Sequence, residues 1–155
     1  MLKPICIIPA RKNSKRIKNK NIQNIFGVPA ITRTIKIALS SRLFSKVIVS
    51  TDSRRIANLS IKSGALVPFL RDKKLADDNS STKSVLIDCI QKNYLTKVPY
   101  AACIYPLAFL LNSKILRQGF KEIKKKRTDI VLGVLEYAHP PERAFYQNKK
   151  GYFEF

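Results

Sequence analysis

A loop near the N-terminus carries the residues best suited to chemistry. It contains six cations between positions 11 and 20, namely Arg11, Lys12, Lys15, Arg16, Lys18 and Lys20. Ser14 and Asn21 add neutral hydrogen-bonding groups to this stretch, which we call the basic loop (residues 11–21). Guanidinium and ammonium groups bind phosphate oxygens through charge-assisted hydrogen bonds. The composition of the basic loop therefore predicts a site for a phosphate-bearing ligand.

The residues before the basic loop indicate how the fold would position it. Residues 5–8 form an unbroken apolar run rich in β-branched side chains, which is typical of a strand buried on both faces. Pro9 has no N–H group and is expected to end that strand. In open α/β sheets, ligands bind beyond the carboxyl ends of the strands. The loop fits neither the Walker A nor the Gly-x-Gly-x-x-Gly pattern, so side-chain cations and backbone N–H groups must bind the phosphate.

Several motifs in order along the chain resemble the sugar-acid cytidylyltransferases, which join CTP to a nonulosonic acid. The motifs lie at residues 7–11, 14–16, 20–21, 49–52, 64–65, 67–71, 77–78, 103–106 and 140–144. The blocks at 105–106 and 140–144 resemble the pseudaminic acid branch more than the N-acetylneuraminate branch. The resemblance implies a nucleotide-diphospho-sugar transferase-like fold. It also implies transfer of CMP to pseudaminic acid with release of pyrophosphate, or to a sialic acid as the alternative substrate.

The same resemblance implies roles for individual residues. Arg11 and Lys20 are implied to be catalytic because they would hold the triphosphate. The implied nucleotide-binding residues are Ala10, Arg11, Ser14, Lys15, Asn21, Arg71, Ser81 and Thr82. The implied substrate-binding residues are Tyr105, Pro106 and Arg143, the last of which could act across a dimer interface.

Simpler structural roles compete with some of these assignments. Arg71 could be an ordinary surface arginine. Ser81 and Thr82 precede an apolar-periodic segment and could equally be helix caps. Asp52 also precedes such a segment, so capping is its expected role. His139, the single histidine, has no catalytic partner pattern and is expected to be structural.

The chain also departs from the family pattern. Lys12 and Asn13 stand where relatives have glycines, and Ser84 stands where they have an aspartate. The resemblance implies a Mg²⁺ ion that bridges the phosphates, with its aspartate ligands beyond Phe155 and no metal ligand within the sequence. The chain is therefore expected to be C-terminally truncated. A catalytically inactive, nucleotide-binding remnant is the alternative to an active enzyme.

Composition narrows the remaining possibilities. The chain has 155 residues, 45% of them hydrophobic and 26% charged, which is typical of a globular domain. Its net charge of +20 is spread along the whole sequence, which favours a lysine-rich surface over nucleic-acid binding. Cys6, Cys89 and Cys103 lie in apolar segments and are expected to be buried thiols in a reducing compartment. With no signal peptide or membrane-length apolar stretch, a cytoplasmic protein is expected.

Hydrophobic periodicity predicts alternating strands and helices, and hence a three-layer α/β/α domain with a mainly parallel sheet. The predicted strands are residues 5–8, 46–50, 66–69, 100–104 and 130–135. The predicted helices begin near Pro29, near Asp52 or Ser53, near Thr82 and after an Asn112 cap. We place the nucleotide-binding domain at 1–137 and the start of a dimerisation or substrate-covering segment at 138–155. Five aromatic residues in that segment are expected to seek a homodimer partner.

Overall fold

The computed structural model describes residues 3–14, 17–77, 79–93, 95–125, 128–136, 138, 140, 142 and 144–154. The strands are β1 (Ile5–Pro9), β2 (Asn24–Ile25), β3 (Val28–Pro29), β4 (Lys46–Ser50), β5 (Ala101–Cys103), β6 (Tyr146–Gln147) and β7 (Phe153–Glu154). The α-helices are α1 (Ala30–Ser40), α2 (Arg54–Lys62), α3 (Thr82–Lys92) and α4 (Ser113–Lys124). Within the described residues, short 3-10 helices span Lys20–Ile22 and Lys73–Leu75.

A parallel sheet in the order β4-β1-β5 forms the centre of the fold. The side chains of β1 alternate between its two faces, as the period of a strand requires. Cys6 and Ile8 join a core cluster with residues of α1 and α2. Ile5 and Ile7 join a second cluster with Cys89 of α3. Helices therefore cover both faces of the sheet, and the predicted α/β class with a parallel sheet is confirmed.

Side-chain caps begin three of the four α-helices found in the described residues. Ser53 Oγ accepts a hydrogen bond from the Ile56 N–H at 3.4 Å, and Ser81 Oγ accepts one from the Ser84 N–H at 3.1 Å. Asn112 Oδ1 accepts a hydrogen bond from the N–H group of residue 115 at 2.9 Å, as expected. Such caps satisfy N–H groups that the first helical turn leaves without a partner. They fix where each helix starts, and so where the loops of the sheet edge end.

A short antiparallel hairpin, β2 and β3, links the basic loop to α1. Its turn residues Phe26 and Gly27 have φ values of 51° and 77°. Positive φ at both central residues gives the turn a twist that matches paired strands. The predicted helix start near Pro29 is confirmed, but the hairpin before it was not predicted.

Two of the predicted strands are wrong. Within residues 66–69, only Leu66 forms an isolated parallel bridge, to Ile48, and the following Leu70 forms another, to Thr51. Residues 130–135 have no strand pairing, and their side chains are exposed. Strand formation requires a partner edge, and within the described residues no strand pairs with the outer edge of β5. Pro9 forms the last pair of β1, opposite Ser50, so the strand does end at Pro9, one residue later than the predicted boundary.

The outer edge of β5, which pairs with no strand among the described residues, also explains why the expected burial is wrong for one of the three cysteines. Cys6 and Cys89 are buried, as expected, whereas Cys103 in β5 is exposed. Burial raises the pKa of the Cys89 thiol to about 11, and the neighbouring Asp88 carboxylate adds to that shift. No helix in the described part of the chain is both long and apolar enough to cross a membrane.

Candidate active site

A cleft of about 330 Å³ lies at the carboxyl edge of the sheet. Its walls come from the loops that follow β1 and β5, from the segment before α3, and from the start of α3. The lining residues are Pro9, Arg11, Ser14, Lys20, Asn21, Arg71, Leu75, Asp77, Ser80, Thr82, Val85, Tyr105, Pro106 and Leu107. Parallel strands place all of these loops at one edge, which is where α/β folds bind ligands.

Three hydrogen bonds fix the basic loop, two to other segments and one within the loop itself. Arg11 Nη1 donates to the carbonyl oxygen of Asp77 at 2.7 Å, which holds the guanidinium across the cleft mouth. Asn21 Nδ2 donates to the carbonyl oxygen of Arg11 at 2.9 Å. The backbone N–H of Lys12 donates to Asp52 Oδ1 at 2.7 Å. The first residue of the loop is thus bonded to its last residue, and the start of the loop is also bonded to Asp77 and to Asp52, which follows β4.

The last of these contacts corrects the prediction for Asp52. Ser53, not Asp52, is the N-cap of α2. Asp52 follows β4, which pairs with β1, so its carboxylate lies beside the start of the basic loop. Asp52 therefore anchors that loop instead of capping a helix.

Lys20 and Asn21 sit in the 3-10 helix that ends the basic loop. Asn21 is buried, because its side chain points inward to the Arg11 carbonyl. Lys20 is half-buried at the cleft wall, and its ammonium makes no hydrogen bond or ion pair with the part of the chain that the structure describes. That cation is available to an anionic ligand.

Arg71 is not a surface arginine, since only 6% of it is exposed. Its Nε donates to Ser50 Oγ at 3.1 Å, its Nη2 donates to the Ser50 carbonyl, and its Nη1 donates to the Leu75 carbonyl at 3.4 Å. Burial lowers the pKa of the guanidinium, and the Asp52 and Asp88 carboxylates partly offset that shift. Arg71 thus joins the end of β4 to the cleft wall as a fixed, buried cation.

The wall opposite the basic loop carries two hydroxyl groups. Thr82 Oγ1 and the Tyr105 hydroxyl lie 2.7 Å apart and share a hydrogen bond between α3 and the loop after β5. Pro106 lines the same wall, and its carbonyl accepts a hydrogen bond from Thr34 Oγ1 at 2.8 Å. This wall presents an aromatic ring with polar groups, which suits a base or a sugar.

The structure distinguishes between helix capping and a place in the cleft for Ser81 and Thr82. Ser81 is the N-cap of α3, and its hydroxyl also lies 2.9 Å from Ser84 Oγ. Thr82 is the first residue of α3 and lines the cleft.

Ala10 is fully buried, and its N–H continues the β1 ladder by donating to the Ser50 carbonyl. Its side chain therefore does not line the cleft. Lys15, Arg143 and His139 lie outside the described residues.

Sequence reasoning missed several lining residues, among them Ser80. Its hydroxyl donates to the Lys74 carbonyl at 3.0 Å, and its N–H donates to Asp77 Oδ1 at 2.7 Å. These contacts fold the segment before α3 into the cleft. The motif at 77–78 marked this segment, but no pattern distinguished Ser80 from its neighbour Ser81.

Among the described residues, the donor set of this site offers few ligands for a magnesium ion. No three aspartate, glutamate, histidine or cysteine side chains come together among the described residues. Of those residues, Asp77 alone contributes a carboxylate to the cleft lining, and its Oδ1 accepts the Ser80 N–H. Mg²⁺ is usually bound through one or two carboxylates together with substrate phosphates and water. The chemistry below is therefore derived from cations and hydroxyl groups alone.

The sequence matches a family of known proteins. Residues 5–150 match the sequence profile of a family described as cytidylyltransferase. The chain belongs to the cytidylyltransferase family.

Within this family, curated relatives match nearly the whole chain. The pseudaminic acid cytidylyltransferase of Campylobacter jejuni subsp. jejuni serotype O:2 is 37% identical over 150 residues, which cover 96% of this chain and 65% of the relative. A Helicobacter pylori protein named pseudaminic acid cytidylyltransferase and UDP-2,4-diacetamido-2,4,6-trideoxy-beta-L-altropyranose hydrolase is 38% identical over 145 residues. That match covers 93% of this chain and 28% of that protein. The chain thus spans less than two thirds of the length of these relatives.

Comparison with a solved structure confirms the fold of this chain. The CMP:2-keto-3-deoxy-manno-octonic acid synthetase complexed with CTP superposes with a TM-score of 0.68. The two sequences are 20% identical, and the match covers 79% of this chain and 48% of the other. The expected nucleotide-diphospho-sugar transferase-like fold is therefore confirmed.

Proposed function

We propose that this protein is a CTP-dependent cytidylyltransferase that activates a nonulosonic acid, preferably pseudaminic acid. One observation carries the proposal: Arg11, Lys20 and Arg71 converge on a single cleft, opposite the Thr82–Tyr105 hydroxyl pair. Cations on one wall suit a triphosphate, and an aromatic, hydroxyl-bearing wall suits a sugar or base. The names of the relatives that match most of the chain support pseudaminic acid over a sialic acid.

The proposed reaction needs little covalent chemistry from the protein. A sugar hydroxyl oxygen attacks the α-phosphorus of CTP, and a new P–O bond forms while the bond to the β-phosphate oxygen breaks. Pyrophosphate leaves with that electron pair, and the hydroxyl proton passes to water. Arg11 and Lys20 would neutralise phosphate charge, and the fixed Arg71 would hold the nucleotide side of the cleft. Positioning and electrostatic stabilisation account for the catalysis in such a site.

The direct test measures pyrophosphate release from CTP in the presence of magnesium. Pseudaminic acid, N-acetylneuraminic acid and a sugar-free control are compared, and the CMP-sugar is identified by mass. We expect release with pseudaminic acid and little with the other two. If this chain is inert but the full product of its gene is active, the activity requires residues outside 1–155. If both are inert with every sugar acid, the proposed function is wrong.

A second candidate is a protein that binds CTP without turnover. The contact between the Lys12 N–H and Asp52 favours it, because a backbone donor of the loop is used internally and not by phosphate. Calorimetry separates the two candidates. Measurable CTP affinity with no pyrophosphate release supports the binding protein, and turnover excludes it.

Further features of the proposed protein remain predictions. We propose a homodimer formed through the aromatic C-terminal segment, with Arg143 near the sugar of the partner. We also propose a cytoplasmic location and a requirement for magnesium, whose ligands would lie outside the described residues. Nucleic-acid binding stays an unfavoured alternative. It predicts affinity that falls steeply between low and physiological salt.

A further inference from the structure

Thr34 makes an unusual hydrogen bond from the middle of α1. A threonine hydroxyl inside a helix commonly bonds a carbonyl three or four residues earlier in the same helix. Thr34 Oγ1 instead donates to the carbonyl oxygen of Pro106 at 2.8 Å, across 72 positions of sequence. Thr34 is only 2% exposed, so this bond lies in the protein interior. The bond thereby joins α1 directly to the chain turn at residues 105–106. We call this turn the Tyr105–Pro106 corner, and it carries one wall of the cleft.

The backbone of that corner has few other hydrogen bonds to the body of the protein. Before it, the Ile104 N–H donates to the Ile7 carbonyl at 3.1 Å, which continues the sheet. After it, the Ala108 N–H donates back to the Tyr105 carbonyl at 3.1 Å, which closes a turn on itself. Pro106 has no N–H group to donate. Among the described residues, the Thr34 hydroxyl is the donor that satisfies the buried Pro106 carbonyl.

We propose that Thr34 is a positioning residue for the substrate wall of the cleft. It acts through the Pro106 carbonyl and fixes where the preceding Tyr105 stands. The Tyr105 hydroxyl then meets Thr82 Oγ1 at 2.7 Å and completes the wall. Thr34 itself lies behind Pro106 and is not part of the cleft lining. The inference rests on the proposed function for its kinetic readout, but its structural readout does not.

The same helix offers a matched control. Thr32 is also buried, at 9% exposure, and its hydroxyl also bonds outside the helix, to Ser63 Oγ at 2.9 Å. That bond joins α1 to the end of α2, away from the cleft. Thr34→Val and Thr32→Val therefore remove the same atom from similar surroundings. Only the first change releases the Tyr105–Pro106 corner.

The kinetic test compares Thr34→Val, Thr34→Ser and Thr32→Val in pyrophosphate release. For Thr34→Val we expect the KM for the sugar acid to rise about tenfold, which corresponds to about 1.4 kcal/mol, while the KM for CTP changes less than about twofold. Thr34→Ser keeps the hydroxyl and should stay near the original values. Equal changes in both KM values, or the same change in Thr32→Val, would show a purely structural role and overturn the proposal.

A second readout does not need turnover. Amide hydrogen exchange is measured for residues 107–111 in each variant, because the turn there depends on the corner. We expect exchange to be about tenfold faster in Thr34→Val than in the original chain, with no change in Thr32→Val or Thr34→Ser. Unchanged exchange in Thr34→Val overturns the positioning role even if activity falls. If Thr34→Val does not fold, Thr34→Ala takes its place.

The two readouts keep the two proposals apart. A chain that releases no pyrophosphate with any sugar acid refutes the proposed function. Faster exchange at residues 107–111 in such a chain still supports the positioning role of Thr34.

Discussion

The central sheet and the C-terminal part of the chain, residues 128–154, are both rich in apolar residues. The side chains of the middle strand of the sheet are mostly buried, whereas those described in the C-terminal part are mostly exposed. In the sheet, residues 5–8 are completely buried between two layers of helices. From residue 128 to 154, no described residue is buried, although Ile130, Leu132 and Phe153 lie there. Apolar composition therefore does not define a core. A surface must also be available to cover the side chains, and the described chain supplies one only for the sheet.

The two regions also differ in the range of their contacts. The sheet depends on pairings across long sequence separations, such as Ile7 with Ile48 and with Cys103. The C-terminal hairpin, β6 and β7, depends on neighbours within a few positions. Its turn is closed by the Gly151 N–H, which donates to the Asn148 carbonyl at 3.0 Å. Long-range contacts create the buried core and the cleft, whereas local contacts create a small exposed hairpin.

The largest expected effect comes from removing equal apolar volume from each region. Ile7 is 0% exposed and Leu132 is 76% exposed. Ile7→Ala should lower the free energy of unfolding by about 2–5 kcal/mol, because it leaves a cavity between the sheet and α3. Leu132→Ala should change it by less than about 0.5 kcal/mol. Urea unfolding followed by circular dichroism measures both. Similar losses for the two variants would mean that residues 130–135 are covered in solution.

The same contrast shows what the sequence could predict. The strands β1 and β4 and the cap at Asn112 follow from local patterns, so they were predicted nearly to the residue. Residues 130–135 have the composition of a strand, but pairing depends on a distant edge that no local pattern reveals. The failure at Cys103 has the same cause.

The candidate site divides in a similar way. Most of its cations were found because they lie in one short loop and because the motifs resemble a known family. Thr34 and Ser80 were not found, since each acts on a backbone carbonyl that only the folded chain brings close. Asp52 was assigned the wrong role for a related reason. Its acceptor function depends on the pairing of β4 with β1, not on its place before α2.

The next effect in size tests whether the nucleotide binds in the cleft formed by the long-range contacts, and not to the overall positive charge of the chain. Lys20→Ala should weaken CTP binding about tenfold or more, because it removes a charged donor from the cleft wall. Lys18→Ala removes the same charge from an exposed position outside the cleft lining, and should change the affinity less than about twofold. Isothermal titration calorimetry measures both. Equal weakening by the two variants would show that CTP responds only to overall charge.

A smaller effect is expected from the aromatic face of the C-terminal hairpin. The rings of Phe145 and Phe153 pack edge to face, with centroids 4.9 Å apart, and both are exposed. We expect the chain to self-associate at tens of micromolar, and the double change Phe145→Ser with Phe153→Ser to weaken association about fivefold. Light scattering at physiological salt measures this, since the net charge of +20 opposes association at low salt. A stable monomer at that concentration would exclude the proposed homodimer.

The smallest effect concerns the acid response of the same hairpin. The Tyr146 hydroxyl donates to Glu154 Oε2 at 2.7 Å, and Asn148 Nδ2 donates to Glu154 Oε1 at 2.6 Å. These bonds hold the pKa of the Glu154 carboxyl below its ordinary value of 4.5, with the Tyr146 bond contributing most. A depressed pKa means that the ionised carboxylate favours the paired hairpin. That contribution is complete above the ordinary value and is lost as the pH falls through the lowered pKa.

Nuclear magnetic resonance can follow this loss residue by residue. Between pH 7 and pH values below 4, amide signals of Gly151 and Tyr152 should move toward unpaired positions, while those of β1 stay fixed. Glu154→Gln keeps a hydrogen-bond acceptor but cannot titrate, so its hairpin signals should be flat with pH. If the original hairpin titrates at or above the ordinary value, the carboxylate does not stabilise the pairing. Equal shifts in β1 would instead mean that acid acts on the whole fold and not on the local contacts of the hairpin.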